Sequence, residues 1–139
     1  PTKNMDRMEW FVEKATEIGI NAITCLNCRF SERKEIKPIR LEKILVSAMK
    51  QSQKATLPAL EGMTDFKKFV ATPFDGRKFI AHCEEGEKPL LKHTYQPGEN
   101  ALILIGPEGD FSPEEIKLAA YGNGRASGLP YDSCVKSIE

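Results

Sequence analysis

The stretch Ala101-Leu-Ile-Leu-Ile105 is apolar at every position and runs directly into Gly106-Pro-Glu-Gly-Asp110. No other part of the sequence narrows the possible folds as much. A strand with one face in water alternates apolar and polar side chains, whereas one that is apolar on both faces belongs in a parallel sheet covered on each side. Residues 101–105 are therefore expected to be the central strand. After the loop, Ser112-Pro-Glu-Glu115 offers a helix start: a serine N-cap, proline at the first helical position and glutamate three residues on, ahead of Ile116, Leu118 and Ala119. Strand, glycine loop and capped helix make a βα unit, and folds built from such units place ligands beyond the carboxyl ends of their strands.

The flanking sequence supports an α/β class. From Asp6 to Ile18, the residues Met8, Phe11, Val12, Ala15 and Ile18 fall at helical spacing, with Asp6 and Glu9 as an expected capping box and Gly19 as the terminator. Ala22 to Leu26 reads as a short buried strand and Asn27 to Lys37 as a polar, basic loop. Pro38 opens a second amphipathic helix through Leu41, Ile44, Leu45, Ala48 and Met49, which Pro58 prevents from continuing. A brief helix with Phe66, Phe69 and Val70 inward, then a strand over Lys78 to Cys83, complete the pattern. His93 is expected in a loop.

With 139 residues the chain fits one domain, and 40% hydrophobic with 29% charged residues is an ordinary globular balance. No apolar run reaches the roughly 20 residues of a membrane span, and the first residues lack a signal peptide's apolar core, so a cytoplasmic protein without membrane contact is expected. In that reducing setting Cys25, Cys28, Cys83 and Cys134 should stay free thiols. Lysine plus arginine and aspartate plus glutamate each total 20, so net charge decides nothing about partners. Its distribution does: Arg29, Arg33, Lys34, Lys37, Arg40, Lys43, Lys50 and Lys54 face only Glu32, Glu35 and Glu42, a local surplus suited to phosphates. A solvated helix face would have the same composition.

Several chemistries are excluded by spacing. Gly106 to Ser112 lacks the order of a phosphate-binding P-loop, and its only charges are carboxylates, which repel phosphate. Gly122-Asn-Gly124 is half of a dinucleotide fingerprint in the wrong context, after a helix. Cys25-x-x-Cys28 has no second cysteine pair to complete a metal site, so no metal is expected, and His82 reads as a core histidine. The Gly106–Asp110 loop remains the candidate site, because glycines let main chain approach a ligand; a tight turn needing glycine for geometry alone would look the same.

These residues together resemble the RsmE family of ribosomal RNA methyltransferases. The likeness is carried by Lys3-x-x-Asp-Arg7-x-Glu9-Trp10, Lys14-Ala-Thr-Glu-Ile-Gly-Ile20, Ala48-Met-Lys-Gln-Ser52, Ile80-Ala-His82 and Leu104-Ile-Gly-Pro-Glu-Gly-x-Phe-Ser112, which span most of residues 3–115. The resemblance implies a SPOUT-type, trefoil-knotted α/β domain over residues 1–139, with a mostly parallel sheet and helices on both faces. Its amino-terminal PUA-like β-barrel is expected to be absent here, along with part of the family's carboxyl terminus. Two departures stand out. Gly109-Asp110 replaces two glycines, and Ser127-Gly-Leu-Pro130 appears where a Leu-Arg-x-Glu-Thr run is expected.

What the resemblance implies functionally is methyl transfer from S-adenosylmethionine to N3 of a uridine in 16S ribosomal RNA, within the assembled particle and by a homodimer. The main chain of Leu104, Ile105, Gly106, Pro107, Glu108 and Gly109 would then meet adenine and ribose. Glu108 is the candidate general base, with fixing of the loop as its alternative role. Arg7, Arg29, Arg33, Lys37, Lys50, Gln51 and Lys54 are the expected RNA contacts. A non-catalytic RNA-binding module of the same fold, or a SPOUT enzyme acting on another RNA, is the alternative.

Overall fold

The computed structural model describes residues 1–83, 91–121 and 133–136. The chain forms two compact units, Pro1–Asn27 with Ser31–Thr64, and Cys28–Phe30 with Asp65–Glu139. Among the described residues no helix is long and apolar enough to cross a membrane.

In the first unit, helix α1 covers Met5–Ile18 and helix α2 covers Pro38–Gln51. The expected capping box at Asp6 and Glu9 is not the one formed. The cap is Asn4, whose Oδ1 accepts the Asp6 N–H at 2.9 Å, because the helix begins two residues earlier than a cap at Asp6 would set it. Glu9 is instead drawn to Arg40 on α2, which donates to one carboxylate oxygen through Nη2 at 3.1 Å and forms an ion pair with the other through Nε. Gly19 ends the helix as expected, at φ 90°, a left-handed conformation that costs glycine nothing.

Strands β1 (Ala22–Asn27) and β2 (Ala59–Asp65) pair beside these helices. Met8, Val12 and Ala15 of α1, Ile23 and Cys25 of β1, and Leu41 and Leu45 of α2 form one apolar core, with Leu60 and Met63 of β2 against it. Leu41 is fully buried, and truncating such a side chain costs about 2–5 kcal/mol. Strand β2 was not legible in the sequence: Ala-Leu-Glu-Gly-Met-Thr-Asp has little β propensity, and the strand owes its conformation to β1, reinforced by the Thr24 hydroxyl donating to Glu61 at 2.9 Å.

The second unit holds a three-stranded sheet in the order β4-β3-β5, from Arg77–His82 (β3), Ala101–Ile105 (β4) and Ser133–Lys136 (β5). Both pairings are parallel, with Arg77 to Ala81 opposite Ala101 to Ile105, and Phe79 to His82 opposite Ser133 to Lys136. The expectation that 101–105 is central is corrected: among the described strands β3 is central and β4 lies at an edge. Leu104 is buried, but Ile103 and Ile105 are 41% and 57% exposed, whereas Phe79 and Ile80 of β3 are fully buried. Hydropathy reports what a strand tolerates, and neighbours decide where it sits.

Helices α3 (Phe66–Ala71) and α5 (Pro113–Tyr121) pack together in this unit, and Phe66 stacks obliquely on Phe111 with ring centroids 5.5 Å apart. His93 belongs to a one-turn helix α4, Leu91–Thr94, not to a loop; the Thr94 carbonyl at its end accepts from Arg77 at 2.6 Å. Cys25 and Cys28 are buried and Cys83 exposed, all as thiols outside any disulfide. His82 is buried on β3. The expectations for Gly122-Asn-Gly124 and for Ser127–Pro130 lie outside the described residues.

Candidate functional site

The loop after β4 closes as a turn in which the Pro107 carbonyl accepts the Asp110 N–H at 2.9 Å. Asp110 has φ 61°, a left-handed conformation that aspartate and asparagine tolerate better than other side chains do. This explains how Asp110 can stand where the resembling family has glycine. Its carboxylate then does what glycine cannot: Oδ1 accepts the Phe111 N–H at 2.8 Å and Oδ2 accepts the Cys83 N–H at 2.6 Å. Cys83 directly follows β3, so one side chain fastens the loop to the end of the neighbouring strand.

Close packing explains both loop glycines. A Cβ on Gly106 would lie 3.0 Å from Asp110 Oδ1 and 3.3 Å from Asp110 main chain, and one on Gly109 would lie 3.0 Å from Phe30 Cβ. The tight-turn requirement is therefore met inside the protein, and main chain is left accessible at the half-buried Gly106 and the exposed Gly109.

Beyond the loop, the expected capping box of α5 is formed in both directions. Ser112 Oγ accepts the Glu115 N–H at 3.2 Å, and Glu115 Oε2 accepts the Ser112 N–H at 2.9 Å. The other carboxylate oxygen of Glu115 accepts the Arg29 N–H at 2.8 Å. This buried glutamate thus holds Cys28–Phe30 against the start of α5, a role that sequence spacing did not reveal. The Arg29 guanidinium lies 3.6 Å from the Glu114 carboxylate with both side chains exposed, a pairing worth at most about 1 kcal/mol.

Of the residues expected at the cofactor, Leu104 is buried, Gly106 and Pro107 are half-buried, and Ile105, Glu108 and Gly109 are exposed. Glu108 sits at the tip of the turn. The carboxylate that anchors the loop to β3 is that of Asp110.

The expected RNA contacts divide between the units. Arg29 belongs to the second. In the first, Arg7 is exposed on α1, Lys37 is exposed ahead of α2, and Lys50, Gln51 and Lys54 are exposed at and beyond its end. Arg33 is half-buried and donates to the Lys3 carbonyl at 2.9 Å. Lys3, Glu32, Arg33, Lys34 and Glu35 line an open groove, where Lys3 pairs with Glu32 at 2.8 Å. Sequence reasoning passed over Lys3 because it lies about thirty residues from the basic stretch. Arg40 is committed to Glu9, whose hydrogen bond holds the guanidinium above its ordinary value.

Residues 1–129 match the model of a family described as the RNA methyltransferase domain. A ribosomal RNA small subunit methyltransferase E from Rickettsia conorii is 25% identical over 126 residues, covering 89% of this chain and 52% of that protein. Among solved structures, a protein from Porphyromonas gingivalis assigned as an rRNA-methyltransferase superposes with TM-score 0.85 at 38% identity, covering all of this chain and 56% of the other. A protein from Legionella pneumophila assigned as a methyltransferase, in complex with S-adenosylmethionine, gives TM-score 0.76 at 27% identity over 100% of this chain and 55% of its own. The chain thus spans about half the length of the relatives it matches.

Proposed function

The chain belongs to the RNA methyltransferase domain family, and from that premise we propose that it is the SPOUT-type domain of an enzyme that methylates small-subunit ribosomal RNA at N3 of a uridine. The observation that carries this reading is the Gly106–Asp110 loop at the carboxyl end of β4, fastened by Asp110 to the end of β3 with main chain of Gly106 and Gly109 accessible. From Ala101 to Ser112 there is no lysine, arginine or histidine, and the loop charges are the carboxylates of Glu108 and Asp110. Such a loop suits an uncharged adenosine carrying a cationic sulfonium and repels a phosphate. The exposed Ile105 adds an apolar surface beside it.

S-adenosylmethionine, when bound, supplies an electrophilic methyl group. The residues of the chain supply alignment and proton handling. Main chain of Leu104 to Gly109 meets the adenosine, Asp110 keeps the loop in shape, and Glu108 takes the N3 proton. Arg7, Arg29, Arg33, Lys37, Lys50, Gln51 and Lys54 hold the RNA, the bases chiefly through phosphates. The accompanying partners are a second copy of the chain and the assembled small-subunit particle, in the cytoplasm.

Two measurements test this. Calorimetric titration of the full-length protein with S-adenosylmethionine should show one site per chain. Mass spectrometry of particle RNA after incubation with protein and methyl donor should show one added methyl on a uridine. RNA binding with neither signal would make the protein a non-catalytic RNA-binding module. A methyl on another base would keep the chemistry and move the substrate. Light scattering at tens of micromolar checks the dimer.

A further inference from the structure

We propose that Phe30 is a stacking surface for a nucleobase of bound RNA, the target base when the methyl donor is seated; this rests on the function proposed above. Phe30 belongs to the second unit although its sequence neighbours from Ser31 onward belong to the first. Its backbone is held through the residues before it. Cys28 is 3% exposed, and the Arg29 N–H is bound by the buried Glu115 at 2.8 Å. Phe30 Cβ packs so closely on Gly109 that a methyl group there would approach it to 3.0 Å. Yet this well-anchored aromatic residue is 45% exposed.

An aromatic ring left accessible on a fixed backbone, touching the glycine loop assigned to the methyl donor, is prepared to receive a flat partner. Little conformational freedom remains to be lost on binding. Proteins that act on one base of an RNA must take it out of its stack and hold it by a face, and aromatic side chains are the usual means. Phenylalanine has no hydrogen-bonding group, so it provides position and leaves base identity to other residues. The Arg29 guanidinium next to it, on the same anchored segment, suits the phosphate of the stacked nucleotide.

The test compares full-length wild-type protein with Phe30→Leu, Phe30→Ala and Phe30→Tyr. Leucine keeps the Cβ and Cγ that approach Gly109 and removes only the ring, and native folding of each variant is checked by thermal unfolding. The readouts are KM for RNA, affinity for S-adenosylmethionine, and binding of a uridine-containing oligoribonucleotide beside the same strand with an abasic site. Stacking of this kind corresponds to roughly 5- to 150-fold in binding. F30L and F30A should therefore raise KM for RNA by that order and lose the preference for uridine over the abasic strand. F30Y should stay near wild type, and F30L should bind S-adenosylmethionine as wild type does.

Unchanged RNA binding in both F30L and F30A overturns the proposal. So does an F30L variant weakened only toward S-adenosylmethionine, which would make Phe30 a wall of the cofactor site. A wild-type protein that neither binds S-adenosylmethionine nor transfers methyl groups ends the methyltransferase reading instead. In that case the uridine-against-abasic comparison still decides whether Phe30 stacks on RNA.

Discussion

Asp110 and Cys83 are joined by a 2.6 Å hydrogen bond from the Cys83 N–H to the Asp110 carboxylate, which links the loop after one strand to the end of its parallel neighbour. Asp110 pays for this position with a left-handed backbone. Replacement by alanine removes this bond and the one from the Phe111 N–H and adds backbone strain of roughly 1–2 kcal/mol, whereas glycine removes both bonds and relieves the strain. Urea unfolding should rank wild type first, then Asp110→Gly at a cost of about 1 kcal/mol, then Asp110→Ala at about 2–3 kcal/mol. Equal stability of the two variants would contradict the left-handed assignment.

Glu115 serves two backbone N–H groups at once, those of Ser112 and Arg29. Glu115→Gln can satisfy only one of them with its single amide oxygen, so a loss of about 1–3 kcal/mol is expected. Ser112→Ala should cost about 1 kcal/mol, and the two should combine non-additively because they share the cap. Hydrogen exchange at the Arg29 amide reads the second bond directly. In the glutamine variant the amide facing the NH2 group, that of Arg29 or of Ser112, should accelerate, and the Arg29 amide should stay slow in Ser112→Ala.

A Cβ added at Gly106 or Gly109 would meet a neighbour at 3.0 Å, so that neighbour must shift, while nothing lies within 4 Å of a Cβ added at Gly62. Gly106→Ala should displace Asp110 and weaken S-adenosylmethionine binding by about tenfold or more, equivalent to roughly 1.4 kcal/mol of loop distortion. Gly62→Ala serves as the control, with no change in affinity. Titration showing Gly106→Ala as tight as wild type would move the cofactor away from this loop.

The basic stretch is tested through side chains that the fold leaves in water. Arg33 is unsuitable for charge reversal because it donates to the Lys3 carbonyl. Lys37, Lys50 and Lys54 are exposed. Reversing them to glutamate in pairs should weaken RNA binding. The slope of log K against log salt should flatten by about 0.7–0.9 for each lost phosphate contact. A slope that survives all three pairs would reduce the stretch to a solvated face.

Burial pushes the Cys25 thiol up from its ordinary value of 9.0. The unfolded chain therefore gives up this proton at a lower pH than the folded protein does. The associated stability is complete below about pH 9 and is lost as pH rises through the folded value. Cys25→Ala should flatten the decline of stability at alkaline pH. In native protein at neutral pH, alkylation mapped by mass spectrometry should label the exposed Cys83 quickly and Cys25 only after unfolding.

What the sequence determined by itself was local or compositional. Pro38 at the first turn of α2, Gly19 in the left-handed position after α1, and the reciprocal cap of Ser112 and Glu115 depend on neighbours within four residues, so spacing reveals them. The Gly106–Asp110 loop was legible too, as a glycine turn between an apolar strand and a capped helix. Tertiary structure decided whatever depended on partners distant in sequence. Strand β4 lies at an edge of the described sheet because β3 takes the two parallel neighbours, and β2 exists because β1 pairs with it. The anchoring of Gly106–Asp110 depends on Cys83, 27 residues before Asp110, and the presentation of Phe30 depends on Glu115, 86 residues after Arg29. The physical reason is the same in each case. A cap or turn is satisfied by hydrogen bonds the local chain supplies, whereas a buried carboxylate is satisfied by whatever backbone the fold brings to it.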